Sequence, residues 1–206
     1  MNQAEELARG ITQLGLDATP ELQRKLLSYL GMLQKWNRVY NLTAIRQPAQ
    51  MINNHLLDSL AVLPHLWPGR WLDVGCGAGL PGLILALMRP EWTFVLLDSN
   101  GKKTSFVQQV KIELGLHNVS ITCTRVEAWQ TGEKFDGIIS RAFAETAKFV
   151  TLTRHLLTQE GRWVAMKGIP QQELERLPNN VSVEQVIPLQ VPGLTAARCL
   201  IMLKPT

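Results

Sequence analysis

The chain of 206 residues contains only three cysteines, Cys76, Cys123 and Cys199, and their wide spacing fits neither a disulfide framework nor a zinc-ligand pair. They read as small buried apolar residues, and no metal site is expected. A long hydrophobic run is also missing. Arg89 stops the longest one well short of a membrane span, and Met1-Asn-Gln-Ala-Glu-Glu lacks the basic region and apolar core of a secretion signal. A cytoplasmic chain without membrane association is expected. There is no repeat or low-complexity segment, which excludes a solenoid. No unpaired apolar helix compels association, so a monomer is expected. The net charge of +4, with pI near 9.1, permits a nucleic-acid partner without demanding one.

What is present suits one α/β domain with a small appendage, at an ordinary hydrophobic fraction of 46%. Residues 1–67 read as a helical cap and residues 68–206 as alternating strand and helix. Thr19-Pro20-Glu21 starts a helix with a capping hydroxyl, a proline at the first helical position and an early acid. Leu22, Leu26, Leu27, Leu30, Leu33 and Trp36 then form an apolar stripe at helical spacing. A second helix is predicted from near Pro48 to Leu63, with Pro64 and Pro68-Gly69 marking the boundary. Strands are predicted at 71–75, 93–98, 119–123, 135–140, 161–167, 183–190 and 197–203, with helices between the first five. This alternation gives a parallel doubly wound sheet. Only a turn at Pro192-Gly193 separates the last two strands, so they should pair as an antiparallel hairpin. Such a Rossmann-like, seven-stranded arrangement is that of class I S-adenosylmethionine-dependent methyltransferases, whose ligand sits at the carboxyl ends of the strands.

The segment from Trp71 to Gly82 carries the most chemistry. A short apolar strand ends in Asp73, followed by Gly75, Gly77 and Gly79 and the apolar run Leu83–Met88. Gly77 to Gly82 also satisfies the dinucleotide fingerprint, with Asp98 at a compatible distance, so spacing leaves two cofactors open. Charge favours one of them. A dinucleotide would bring an anionic pyrophosphate to a turn entered by a carboxylate, whereas S-adenosylmethionine brings a sulfonium and an ammonium. Asp98 ends the run Thr93-Phe94-Val95-Leu96-Leu97, where it can accept both ribose hydroxyls or simply cap the next helix.

The acceptor is less legible. No cysteine nucleophile suited to pyrimidine C5 stands at a strand end, and no Asn/Asp-Pro-Pro-aromatic turn follows the fourth strand. An acceptor that is already nucleophilic, such as guanine N7, would require proximity and orientation without a general base.

Lys35-Trp36-Asn37-Arg38-Val39-Tyr40-Asn41-Leu42-Thr43, His55-Leu56-Leu57-Asp58-Ser59, Asp73 to Gly82, Leu97-Asp98-Ser99 and Ser140-Arg141-Ala142 closely resemble signatures of the RsmG family. These are bacterial small-subunit ribosomal RNA guanine-N7 methyltransferases, formerly called glucose-inhibited division protein B. The resemblance covers nearly the whole chain. It implies methylation of the 16S rRNA guanine conventionally numbered 527; the sequence leaves naked RNA, an assembly intermediate and the small subunit open as substrate, and the small cap favours the small subunit or an intermediate. It also implies S-adenosylmethionine against Gly75 and Leu80, with ribose near Asp98 and adenine near Val126 and Glu127, and Asp73, Gly77 and Gly79 join these as cofactor-binding residues on the reading of the loop above. Arg141 would lie beside the cofactor, and Arg141 and Arg125 are the candidate catalytic residues. Cys76 departs from the small hydroxyl residue or glycine expected there.

Asn41, His55, Lys102, Lys103, Arg125, Lys167 and Arg198 are candidate RNA contacts. Each also has a structural reading. His55 and Asp58 can pair across a helix to lock the cap, Asn41 can close a helix, and Lys102 and Lys103 can form a solvated surface. Trp36 and Tyr40, four apart on the stripe, are expected in the core. The competing functions are a dinucleotide oxidoreductase and a noncatalytic ribosome-binding factor that retains the cofactor loop.

Overall fold

The computed structural model describes residues 2–174 and 176–206. Helix α1 (Gln3–Gln13) opens with a reciprocal cap, in which Asn2 Oδ1 accepts the Glu5 N–H and the Glu5 carboxylate accepts the Asn2 N–H. Helix α2 (Pro20–Tyr40) starts as the sequence predicts, with Thr19 Oγ1 accepting from the Leu22 N–H at 3.2 Å. Its buried residues Leu26, Tyr29, Leu30 and Leu33 recur on one face, and Asn41 closes it in the left-handed region. Tyr40, expected in the core, is instead 42% exposed. Trp36 already fills the space against Phe106, at 5.6 Å between ring centroids, and the Tyr40 ring lies tilted against Trp36 at 5.3 Å.

The single helix expected from Pro48 is subdivided. Helix α3 (Pro48–Met51) runs into a π-helical turn at Ile52–Leu57, then helix α4 (Asp58–Leu60) and a 3-10 turn at Leu63–His65. The wider π turn removes the register that stacks residues three apart in an α-helix. His55 and Asp58 accordingly take different partners.

Strands β1 (Arg70–Val74), β2 (Thr93–Asp98), β3 (Val119–Cys123), β4 (Phe135–Arg141), β5 (Leu157–Lys167), β6 (Val181–Leu189) and β7 (Arg198–Pro205) form one sheet. Their order is β3-β2-β1-β4-β5-β7-β6. The first five are parallel, and β7 is antiparallel to both β5 and β6. The expected hairpin therefore forms, with β7 inserted inside the sheet. Helices α5 (Gly82–Met88), α6 (Gly101–Leu114) and α7 (Thr146–Thr153) occupy three of the four expected crossovers. Between β3 and β4 only a 3-10 turn at Val126–Ala128 is present. The link is short and polar past Trp129, and it offers no apolar face to bury. A four-residue helix, α8 (Gln171–Leu174), precedes β6.

Alternate residues of β2 serve the two layers, Phe94 and Leu96 on one side and Val95 and Leu97 on the other. Helix α5 is buried on every face because it lies between the sheet and the cap helices α2 and α4. The cap and sheet share one apolar cluster containing Leu7, Leu30, Leu83 and Leu200. Cys76 and Cys199 are buried as expected, whereas Cys123 is exposed at the end of edge strand β3. Among the described residues, no helix is long and apolar enough to cross a membrane.

Candidate active site

The chain leaves β1 through Gly75 and Gly79, whose φ values of +68° and +84° are costly for residues with a Cβ. The N–H groups of Gly75 and Cys76 both donate to Leu97 O, at 2.8 and 3.1 Å, which ties the loop to the end of β2. Asp73 lies beneath it, fully buried, with Oδ2 accepting the Gly82 N–H at 2.8 Å. A Cβ at Gly82 would come within 2.7 Å of that oxygen. Burial pushes the Asp73 carboxyl up to about 7, against the opposing Gly82 hydrogen bond and the Arg141 charge. Asp73 thus braces the loop from below and does not line the cavity above it. The cap adds a second brace, because the buried Tyr29 hydroxyl donates to Ala78 O at 2.9 Å.

Asp98 stands at the open end of β2, where Oδ2 accepts from Gly77 N–H at 2.9 Å and Oδ1 from Asn100 N–H at 2.8 Å. Each oxygen keeps an acceptor site for a further donor. Beside it is a cavity of about 360 Å³, lined by Gly75, Asp98, Val126, Glu127, Phe143 and Lys148 among others. Its size is that of a small-ligand site. Val126 is buried, the Gly75 backbone is bare, and Asp98 offers acceptors, so the wall presents an apolar surface and hydroxyl-binding groups together. Phe143 closes over Gly75 so tightly that a Cβ there would lie 2.6 Å from the ring. Of the expected cofactor residues, Gly75, Asp98, Val126 and Glu127 converge on this cavity, while Gly77, Gly79 and Leu80 shape the turn behind it.

A second cavity, of about 430 Å³, adjoins the first at Ala142, which lines both. At its centre Asp58, 2% exposed, receives two arginines. Arg141 Nη1 donates to Oδ2 and Arg198 Nε to Oδ1, each at 3.0 Å. Arg141 also donates to Asn54 O at 2.9 Å. Arg141, expected beside the cofactor, pairs with this buried carboxylate and is followed directly by Ala142, which lines both cavities. Three chain segments meet on one side chain.

His55 does not pair with Asp58. Its Nδ1 lies 3.1 Å from Asn54 O, which can only accept, so that nitrogen carries the proton. Its Nε2 then accepts from the Thr43 hydroxyl at 3.1 Å. Burial pushes His55 down to about 4, assisted by the Arg141 charge, and the ring is neutral at neutral pH. Lys167 Nζ donates to Ala144 O at 2.7 Å and to Glu173 Oε1 at 3.0 Å. Burial alone would raise Glu173, but two hydrogen bonds from Thr146 and the Lys167 ammonium outweigh it and hold the carboxyl low.

The remaining expected residues lie at the rim. Arg125 is largely exposed with Glu127 at 4.0 Å, and both Arg125 and Lys103 line the first cavity. Lys102 Nζ lies 5.9 Å from the Tyr40 ring centroid, and Asn41 borders a third, smaller cavity. Sequence reasoning missed Tyr29, Asn54, Phe143 and Lys148. Phe143 and Lys148 follow the end of β4, a position that flags ligand contacts in open α/β sheets. Tyr29 and Asn54 carry no local signal.

A family model, GidB, described as rRNA small subunit methyltransferase G, matches residues 22–202. A protein of Laribacter hongkongensis named ribosomal RNA small subunit methyltransferase G is 51% identical over 204 residues, covering 98% of this chain and 99% of its own. One of the same name from Chromobacterium violaceum is 52% identical over 198 residues, covering 95% of each. Among solved structures, a TehB-like S-adenosylmethionine-dependent methyltransferase from Corynebacterium glutamicum superposes with a TM-score of 0.60. It is 16% identical and covers 87% of this chain and 99% of its own. The N-methyltransferase NodS from Bradyrhizobium japonicum, in complex with S-adenosyl-L-homocysteine, gives 0.59 at 13% identity, with 84% and 98% covered. The folds thus agree on the class I methyltransferase architecture, and with four-fifths and more of its length matched the chain belongs to the rRNA small subunit methyltransferase G family.

Proposed function

We propose that this protein transfers the methyl group of S-adenosylmethionine to N7 of a guanine, position 527, in 16S ribosomal RNA. The observation that carries this reading is the junction at Ala142, where a cofactor-sized cavity shares a wall with one that Asp58, Arg141, Lys167 and Arg198 line. Asp98 would accept the ribose hydroxyls, Val126 and Glu127 would flank the adenine, and the methionyl part would lie toward Gly75 and Phe143. A cationic ligand above the loop would favour the ionised form of Asp73, whose buried Oδ1 has no hydrogen-bond partner. Bound S-adenosylmethionine supplies an electrophilic methyl group on a sulfonium.

The second cavity suits an acceptor that needs no deprotonation. His55 has both ring nitrogens engaged and stays neutral, so it neither gives nor takes a proton. Guanine N7 already holds a free lone pair, and positioning is then the whole of the task. Guanidinium N–H groups of Arg141 and Arg198 not engaged with Asp58 would hold O6 of a flipped-out guanine. Methylation leaves a positive charge on the ring, and two arginines sharing Asp58 oppose that charge less than free ones would. Arg125, Lys102 and Lys103 would meet the RNA backbone from the rim.

Residues 1–67 would act as a cap and 68–206 as the methyltransferase domain of a cytoplasmic monomer. The substrate would be the small subunit or an assembly intermediate. The test is transfer of labelled methyl to unmodified small subunits, with the product nucleoside identified by mass spectrometry. N7-methylguanosine at one site is expected. Binding of S-adenosylmethionine without transfer would favour a noncatalytic ribosome-binding role.

A further inference from the structure

The cations around the acceptor cavity are all engaged in ion pairs, Lys167 with Glu173 and Arg141 and Arg198 sharing the single charge of Asp58. An RNA strand brings one negative charge per nucleotide and requires cations that are not matched internally. Such a pair lies one residue away. Ile45 lines the acceptor cavity, while Arg46 lines a notch of about 180 Å³ whose walls include Arg38, Asn37 and Asn41. Consecutive Cα atoms are ~3.8 Å apart, so the chain passes from the wall of one cavity to the wall of the other within a single residue.

Arg38 and Arg46 are both exposed, and among the described residues neither has a carboxylate within ion-pair distance. Arg38 sits in the last turn of α2, where the helix dipole favours a cation. That accounts for Arg38 but not for Arg46. Arg46 is oriented by a specific contact, Nη2 donating to Asn41 Oδ1 at 3.1 Å, and Asn41 is held by the left-handed closure of α2. The amide fixes the guanidinium without neutralising it. The notch is also tied to the acceptor cavity, because the buried Asn37 accepts the Thr43 N–H at 2.8 Å and Thr43 donates to His55.

We propose that Arg38 and Arg46 form a phosphodiester-binding site for the single-stranded RNA flanking the target base, an inference that rests on the RNA-methylating reading above. Their planar forks match phosphate oxygens in a bidentate manner. The site anchors the backbone while the neighbouring base enters past Ile45. It therefore acts on substrate binding and leaves the transfer step untouched.

The experiment compares wild type, Arg38→Gln, Arg46→Gln, the double variant, Arg46→Lys and the distant control Arg9→Gln. For each, KM for unmodified small subunits, kcat and S-adenosylmethionine affinity are measured over a salt series, with thermal melting to confirm folding. The double variant should raise KM on the order of tenfold at physiological salt, with unchanged kcat and cofactor affinity. The slope of log KM against log salt should fall by about 0.7 per lost phosphate contact, and Arg46→Lys should largely restore it. A KM and slope equal to those of Arg9→Gln, or a loss confined to kcat or cofactor affinity, would overturn the site. Failure of the wild type to transfer methyl would remove the proposed function instead. Salt-dependent binding of the same subunits without turnover would still report on the notch.

Discussion

The two cavities that meet at Ala142 are built by different means. The first rests on backbone, a glycine turn that Asp98 holds by accepting N–H groups at its side and Asp73 braces from beneath, with the residues that follow β3 and β4 closing it. The second is walled by side chains from the cap, the end of β4 and the start of β7, converging on a single carboxylate. A backbone-built wall fixes where a common cofactor lies. A side-chain wall can be reshaped by substitution while the sheet is kept, which is how one architecture serves many acceptors.

Removing Asp58 strikes the second cavity at its centre. Asp58→Ala strands two partly buried guanidinium groups, and a loss of about 3 kcal/mol in denaturant unfolding is expected. Affinity for S-adenosylmethionine, measured by calorimetry, should fall far less. Equal loss of both would show that the two walls are one unit. Asp98→Asn strikes the first wall by setting amide hydrogens against an N–H donor that Asp98 now accepts. Cofactor affinity should drop by about 2 kcal/mol, roughly thirtyfold, with little change in KM for the RNA. A shift in RNA KM of the same size would erase the division of labour. Tyr29→Phe removes only the hydrogen bond to Ala78 O, and a stability loss of about 1 kcal/mol is expected without loss of turnover at saturating cofactor.

The smallest net effect should be the dependence of stability on pH, because the two cavities contribute with opposite signs. His55 has its folded pKa lowered to about 4 from 6.5, so its contribution is lost as pH falls across that window. Asp73 has its folded pKa raised from 3.8 to about 7, so it stabilises at low pH and that contribution is lost as pH rises through 7. His55→Gln should therefore make stability fall from pH 4 to 7, and Asp73→Asn should make it rise up to pH 6.5. Two variants sloping the same way in urea titrations would refute these assignments.

The first wall was legible because its chemistry is local. Asp73, Gly75 and Asp98 sit at fixed offsets from strand ends, and the hydrophobic period places those ends. The role of Asp73 was not, since burial depends on how α5 packs above it. The second wall depends on contacts such as Arg198–Asp58, 140 residues apart, for which no spacing rule exists. The π turn at Ile52–Leu57 likewise left an ordinary helical pattern in the sequence while separating His55 from Asp58. The missing crossover helix between β3 and β4 was an expectation of alternation that the polar link could not meet.

The interior position of β7 sets an order of events during synthesis. This strand is the last of the seven to leave the ribosome, yet it fills the gap between β5 and β6 and delivers Arg198 to Asp58. Until it emerges, β5 and β6 present open edges and the cavity beside Ala142 lacks one of its two arginines. The cofactor loop, complete more than a hundred residues earlier, can fold first. In a newly made chain the residues that line the first cavity have all emerged before the final strand, whereas the second cavity is complete only with it.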